Sequence, residues 1–547
     1  MGTAPAGTDL SAPAAPTRYG LFSPEWLARA NSAFAVLPAD ETSAIRVELT
    51  VTDAPAGTAG ALGILVDLTT GALRFSAGHQ AGRPALAFTL THADARTLLF
   101  GDQTHRTRLF EHGGLRLEGA FLFVFMLDRI LQQDVSGALA AVRARTTGLP
   151  DGPLPTPAWR ERPAAARTSA APRDETAEIQ AAQDALPRTM AALRAELGRT
   201  TPGAQVYVSH APTRTAVSVA LGESRPHVPF TRGSSPIWYC CSKAVGAVAV
   251  GQLWERGLVD PLRPVAEYLP WFEGEGREKI TLYQLLTHTS AVPMALDPLH
   301  GTFAADVELR REQLRTMRIP PDAEAGTRIN YAPWWAWFLL ADIVQAVDGR
   351  SYERYLTEEV LAPCAMTGTR MVLTPEEYQE EARLLPLIHI TGGAFPAEPT
   401  QWYATEASCT RPIPGLNMRG PVRDLGRFFE TLLAGGQGPG GRILRPQTVM
   451  AMTARHRVGL TDPFGNADWG LGFRLESHHL GEAYTAFSRY ASRRTFGHYG
   501  LWTSVAFADP DASVVAAVHL NGKASQDEHQ ERMLSIGDAI YHDLDLV

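Results

Sequence analysis

Between Gly148 and Asp174 the chain runs Gly-Leu-Pro-Asp-Gly-Pro-Leu-Pro-Thr-Pro and continues through Arg162-Pro-Ala-Ala-Ala and Ala171-Pro. That is the composition of a linker, not of a helix or strand. It divides 547 residues into a smaller N-terminal and a larger C-terminal part, within the two or three cores that a chain of this length predicts. The expected organisation is a disordered Ala, Pro, Gly and Thr rich terminus over 1–20, a first domain over 21–147, a linker over 148–175 and a second domain over 176–547. The net charge of −8, the pI near 6.1 and the lack of any Lys or Arg run argue against a nucleic-acid partner. No run of 18 apolar residues predicts a membrane span. The first twenty residues lack the apolar core of a signal peptide, so Cys240, Cys241, Cys364 and Cys409 are expected as thiols in the reducing cytoplasm.

Hydrophobic spacing gives the first domain an α+β reading with one sheet. Ile45 to Val51 and Leu73 to Ser76 alternate apolar and polar, and Leu86, Phe88 and Leu90 share one face of a third strand. Ala93 to Phe100 and Ala120 to Leu131 read as helices, with Phe121, Phe123, Phe125 and Met126 as core. Gly113-Gly-Leu-Arg-Leu-Glu-Gly119, followed by the apolar Ala120 to Leu127, resembles the closing strand and helix of sterol-carrier-like domains, over about Ala44 to Arg145. The resemblance implies a lipid-sized tunnel that holds an acyl chain or meets a carrier protein. No catalytic cluster is evident in this part.

Chemistry concentrates in the second domain. Only three of the 50 basic residues are lysines, Lys243, Lys279 and Lys523. Lys243 lies in Tyr239-Cys240-Cys241-Ser242-Lys243, at the start of an apolar run through Leu253. Arginine stays protonated at any working pH, whereas a buried lysine can become a base. The pattern predicts a helix from Cys240 through Arg256 with a stop at Gly257. Residues three apart share a helix face, so Cys240 and Lys243 point the same way. A helix N-terminus and a nearby ammonium both favour a thiolate.

These residues, with Gly257-Leu-Val-Asp260, Tyr268-Leu-Pro270 and Ile280-Thr-Leu-Tyr-Gln-Leu-Leu-Thr-His-Thr-Ser290, resemble the serine β-lactamase and penicillin-binding-protein superfamily, above all its class C and esterase branch. That superfamily opens a central helix with S-x-x-K, and here Cys240 stands in place of the serine. Gly326-Thr-Arg-Ile-Asn-Tyr331-Ala-Pro matches the Tyr-x-Asn region, with Pro333 where Asn is usual. Phe496-Gly-His498-Tyr-Gly500 resembles the third element, His-x-Gly in esterase-like members. Gly420 to Phe428, Trp469-Gly-Leu-Gly472 and Pro446 to Met452 follow in the same order. The resemblance covers about Ala181 to Val547. It implies an antiparallel sheet flanked by helices plus a helical subdomain, Cys240 as nucleophile, and Lys243 and Tyr331 as proton carriers. His498 is implied as support or substrate contact, with an oxyanion site at the N–H groups of Cys240 and Leu501. Trp334, Trp402, Tyr499, Gly500 and Trp502 are the expected substrate contacts. Pro333 removes an amide that in β-lactamases meets the substrate, which argues against β-lactam recognition.

Sulfur in place of oxygen favours thioester donors, and the resulting thioester reacts more readily with amines and thiols than with water. The expected activity is therefore acyl transfer, or cyclisation, from a small-molecule or carrier-bound donor in natural-product biosynthesis. Hydrolysis of an ester, amide or thioester is the alternative within the class. A non-catalytic ligand- or carrier-binding protein is the alternative outside it. His288 reads as a loop brace. No metal-ligand spacing or phosphate-binding loop is present, so neither metal nor cofactor is expected, and the sequence carries no signal for oligomeric state.

Overall fold

The computed structural model describes residues 17–37, 44–67, 72–79, 86–101, 105, 109, 115–119, 137–150, 154, 175–290, 307–319, 324–390, 399–400, 402–462 and 465–547. The chain forms two compact units that meet in sequence between Arg162 and Pro163. The expected helix over Ala120–Leu131 lies outside the described residues.

The N-terminal unit is one five-stranded sheet with helices. Its strands are β1 (Ala44–Val51), β2 (Ala61–Asp67), β3 (Leu73–Ala77), β4 (Leu86–Leu90) and β5 (Leu115–Gly119), in the order β3-β2-β1-β4-β5. Only the β1–β4 pair is parallel. Val47, Leu49 and Val51 are buried on one face of β1, which fixes its register, because a one-residue slip would turn all three outward. Helix α1 (Pro24–Phe34) begins at Ser23, whose hydroxyl accepts from the Trp26 N–H, with Pro24 at the first helical position. Asn31 of α1 clamps the backbone of the edge strand β3, donating to the Phe75 carbonyl at 2.8 Å and accepting from its N–H at 2.7 Å. Helix α2 (His92–Phe100) is capped by Thr91, and α3 (Ala138–Ala144) is the last helix described in this unit. Neither α1 nor β2 was expected from the hydrophobic pattern.

The C-terminal unit is built on a seven-stranded antiparallel sheet. Two helices, α4 (Thr176–Ala185) and α5 (Pro187–Glu196), precede the strands β6 (Gly203–His210), β7 (Thr215–Arg225) and β8 (Val228–Pro229). The late strands are β9 (Arg474–Leu475), β10 (Phe496–Gly500), β11 (Ser504–Asp509) and β12 (Val514–Leu520), giving the order β9-β10-β11-β12-β6-β7-β8. The start and end of the unit therefore meet in the middle of the sheet, at β12 and β6. Leu186, Met190 and Leu193 pack with Val206, Val208, Val518, Ile536 and Ile540 into one apolar core. That core joins α5 and the last helix, Gln526–Asp543, to one face of the sheet.

The opposite face carries the helices that matter for the site. The helix Ser242–Glu255, here α6, has every residue from Ser242 to Leu253 buried, as expected of a helix apolar all round. It ends at Gly257, whose φ of 68° permits the Leu258 N–H to reach back to the Leu253 carbonyl at 2.9 Å. Helices α7 (Trp335–Asp348) and α8 (Val422–Leu433) pack on this side. A Cβ on Gly426 of α8 would lie 2.1 Å from the Tyr207 ring of β6, so only glycine allows this approach.

Asn521, just past β12, ties the sheet together. Its Oδ1 accepts from the Thr201 hydroxyl (3.1 Å) and the Gly203 N–H (2.9 Å), while its Nδ2 donates to the carbonyls of Glu223 (3.0 Å) and Ser224 (3.1 Å). Three of these bonds are buried and the fourth, to Glu223, is partly buried. Asn521→Ala is expected to cost about 3 kcal/mol, since it strands buried donors and acceptors, and chemical denaturation with an unchanged m-value checks this.

Candidate active site

The segment before α6 is not the regular first turn that the pattern predicts. Tyr239–Cys241 is a 3₁₀ turn, and the α-helix starts only at Ser242. Tyr239 has φ 49°, the left-handed region, which a non-glycine residue occupies at a cost and which cannot propagate an α-helix backwards. The face relation nevertheless holds. Lys243 Nζ lies 3.4 Å from Cys240 Sγ and donates to the Gly415 carbonyl at 2.8 Å. Cys240 keeps 8% of its surface exposed, whereas Lys243 keeps none. Burial lowers the Lys243 pKa, partly offset by the Cys240 thiol. The Nζ atom also lies 5.6 Å from the centres of the Tyr331 and Trp337 rings.

Tyr331 completes this group. Its ring lies 5.6 Å from the lysine nitrogen, and burial first, then the neighbouring Cys240, pushes its pKa well above that of an ordinary phenol. Near neutral pH the tyrosine keeps its proton while the lysine is biased to lose one. A cysteine is thus placed beside a lysine biased to accept a proton and a tyrosine biased to keep one. His288 braces the arrangement, as the sequence suggested. It closes the helix Leu282–Thr287 with φ 55°, its ring lies 4.4 Å from that of Tyr331, and its Nδ1 accepts the Ala332 N–H at 3.2 Å. The Asn330 N–H donates to the His288 carbonyl and the Gly326 N–H to that of Thr289. Two segments distant in sequence are in this way bonded into one support.

A second support was not foreseen. Residues Gly415 to Gly420 run beside the Trp238–Lys243 segment as a strap of carbonyl acceptors. Gly415 accepts from Lys243, Leu416 from the Ser242 hydroxyl (3.2 Å), Met418 from the Trp238 N–H (2.8 Å) and Gly420 from the Trp238 indole (2.8 Å). Pro414-Gly415 marks a turn in the sequence, but nothing local shows that the turn feeds a lysine 172 positions earlier. Gly415 has φ 72°, and a Cβ there would come within 2.7 Å of Trp337 and 3.0 Å of Lys243 Cγ.

The sheet edge closes the site from the other side. Cys241 donates its thiol to the His498 carbonyl at 3.3 Å, and Ser504 donates to the Trp238 carbonyl at 3.2 Å. Gly500 permits the close fit, because a Cβ there would lie 2.2 Å from the Trp238 oxygen. The end of β10, followed directly by Leu501, therefore abuts the turn that carries Cys240. His498 is buried, and burial foremost, then Lys243, depresses its pKa to about 3. Its Nδ1 faces the Tyr499 carbonyl at 2.7 Å, so the neutral ring carries its proton there and offers Nε2 as an acceptor.

The aromatic residues divide between two faces. Trp469 sits among His288 (5.4 Å), His498 (5.5 Å) and Tyr331 (6.2 Å), with the Arg457 guanidinium 4.8 Å from its centre. It joins all three rings, a role that its place in Trp469-Gly-Leu-Gly472 did not reveal. Trp334 is buried at the entry to α7. Tyr499 points to the opposite face of β10 from His498, against Phe487 and His529, beneath Arg474. Its side chain is thus part of the core beneath the last helix. Trp502 follows Leu501 with φ 57°, and Lys523 Nζ lies 5.1 Å from its ring centre. The side chain of Trp402 is outside what the structure describes. All four cysteines are free thiols, and among the described residues no helix is long and apolar enough to cross a membrane.

An antiparallel sheet whose edge meets a buried helix bearing Cys-x-x-Lys, with a tyrosine from a third segment, defines a β-lactamase-like domain. The beta-lactamase family model matches residues 146–539, and the chain belongs to that family. The esterase/beta-lactamase LipL of Mycobacterium tuberculosis is 25% identical over 317 residues, covering 53% of this chain and 70% of LipL. The putative penicillin-binding protein PbpX of Bacillus subtilis is 30% identical over 155 residues, 28% of this chain and 36% of PbpX. Two solved structures share the fold. EstCE1, described as a hydrolase with promiscuous acyltransferase activity, aligns with a TM-score of 0.54 at 20% identity, over 66% of this chain and 100% of its own. Simvastatin synthase, LovD, from Aspergillus terreus aligns with a TM-score of 0.53 at 19% identity, over 68% and 98%.

Two outcomes follow from this geometry. Gly415→Ala forces a Cβ into the Trp337–Lys243 contact and strains the left-handed backbone, so it is expected to slow reaction at Cys240 by about a hundredfold, on the scale of a displaced catalytic group. The rate of acyl-adduct formation reads this. Lys243→Met should raise thermal stability most at low pH. Unfolded Lys243 binds a proton up to about 10.5, while the folded, depressed group binds it only at lower pH, so the wild type gains stability as pH rises through that interval. The difference in Tm between variant and wild type should therefore shrink from pH 6 towards pH 10.5.

Proposed function

We propose that this protein is an acyl-transfer enzyme that forms a covalent acyl-enzyme at Cys240. The observation that carries the reading is Cys240 Sγ 3.4 Å from the buried Lys243 Nζ, with the Tyr331 ring 5.6 Å from the same nitrogen. In the proposed reaction the sulfur attacks the carbonyl carbon of a thioester or activated ester while the neutral Lys243 amine takes the thiol proton. The carbonyl oxygen becomes an oxyanion facing the backbone N–H groups of Cys240 and Leu501. Collapse breaks the bond to the leaving thiol or alcohol, which receives a proton from the Tyr331–Lys243 pair. An incoming amine, alcohol or thiol then attacks the acyl-enzyme, gives up its proton to the same pair and releases Cys240.

Sulfur is what separates transfer from hydrolysis in this reading. A thioester intermediate is discharged by amines and thiols more readily than by water, and the slight exposure of Cys240 limits the access of water. A small acyl donor carried on a biosynthetic carrier protein fits this chemistry. The N-terminal unit would then act as a sterol-carrier-like holder of the acyl chain. Trp334 and Trp502 would bound the acyl group, with Gly500 lending backbone. Hydrolysis of an ester, amide or thioester is the second reading, favoured by the esterase name of LipL.

The test is intact-protein mass spectrometry after brief exposure to a panel of acyl thioesters and activated esters. A mass gain on Cys240, absent from Cys240→Ala, is the expected result. No adduct with any donor, together with ordinary alkylation kinetics at Cys240, would leave a ligand-binding protein as the better account.

A further inference from the structure

We infer that Tyr403 is a positioning residue for the nucleophile, acting through the strained residue Tyr239. The inference rests on the reading that Cys240 is the nucleophile. Tyr239 immediately precedes Cys240, is fully buried and holds φ 49°. An L-residue leaves that region unless its surroundings over-determine it. Because Tyr239 adjoins Cys240, this angle sets how the turn that carries Cys240 leaves Trp238 and the strap, while the spacing of three residues alone brings Cys240 and Lys243 to one face.

What over-determines Tyr239 is a closed circuit of contacts. The Tyr403 ring meets the Tyr239 ring edge-on, with centroids 4.8 Å apart and planes at 86°. The Tyr403 carbonyl accepts from Arg419 Nη2 at 2.9 Å. Arg419 belongs to the strap, where its backbone exchanges hydrogen bonds with Arg370 at 2.8 and 2.9 Å and bridges to Ile237. The next residue, Trp238, is bonded to Met418 and Gly420 of the same strap. Both ends of the circuit thus fasten to one support, and the strained residue lies between them. A glycine at position 239 would adopt the angle without help. The tyrosine instead makes the angle depend on its ring being held, which places the geometry of Cys240 under the control of Tyr403.

The discriminating experiment compares single-turnover acylation of Cys240 in wild type, Tyr239→Gly, Tyr239→Ala, Tyr403→Phe, Tyr403→Leu and the double variant Tyr239→Gly/Tyr403→Leu. Tyr403→Phe keeps the edge contact and should lose far less rate than Tyr403→Leu. Tyr403→Leu and Tyr239→Ala should acylate about tenfold more slowly at saturating donor, the scale of the left-handed penalty, with little change in the donor concentration at half-maximal rate. Tyr239→Gly and the double variant should recover most of the wild-type rate, which a purely structural loss would not do. The inference is overturned if Tyr403→Leu acylates as fast as wild type, or if glycine at 239 acylates no faster than alanine. Failure of wild type itself to acylate overturns the nucleophile reading, and this inference with it. Should Tyr403→Leu not fold, the Tyr239→Gly and Tyr239→Ala pair decides alone.

Discussion

The arrangement depends on one buried amine. A lysine withdrawn from water beside a cysteine is costly in its charged form, and the fold provides Lys243 with two partners, the Cys240 sulfur and the Gly415 carbonyl. The amine can donate to the carbonyl and still offer its lone pair to the thiol. Much of the surrounding geometry serves this exchange. The left-handed turn at Tyr239 leads into the segment that bears the sulfur, the strap from Gly415 to Gly420 holds the lysine through the Gly415 carbonyl, and Tyr331 approaches from a segment braced by His288. None of these contacts is large, but they converge from four stretches of chain, so the site exists only in the assembled unit.

The charges around the site also have a direction. The charged groups that bear on His288 and His498 include Lys243, Arg457 and Arg474, all basic, although Asp462 and Asp468 in turn oppose Arg457. An oxyanion forming beside Cys240 would develop in a field suited to negative charge, while a second positive charge on either histidine is disfavoured. His498, with its pKa lowered to about 3, is therefore neutral near neutral pH and acts as a fixed dipole and acceptor.

Much of this was legible in the sequence, and the limits are instructive. The apolar run after Lys243 and the glycine at 257 gave the helix and its end, because both are local. The motif order singled out Tyr331 and His498 together with Cys240. The 3₁₀ turn escaped because a left-handed tyrosine has no local signature. It is held by Tyr403 and Arg419, far along the chain. Gly415 and Trp469 were visible as a turn glycine and a motif tryptophan, but what they touch is set by tertiary contacts. Tyr499 shows the converse. A motif position suggested a substrate contact, while the strict alternation of a strand sends its side chain to the face opposite His498.

The central claim is that a sulfur nucleophile directs the acyl group to an acceptor instead of to water. The partition of a preformed acyl-enzyme tests it most directly. Wild type and Cys240→Ser, loaded with the same acyl group, are mixed with equal concentrations of an amine, thiol or alcohol acceptor, and transferred and hydrolysed products are counted. The account predicts that the wild type delivers most of its acyl group to an acceptor, and that the serine variant shifts the balance towards free acid. Equal partition in the two proteins would contradict it, because the fate of the acyl group would then not depend on sulfur.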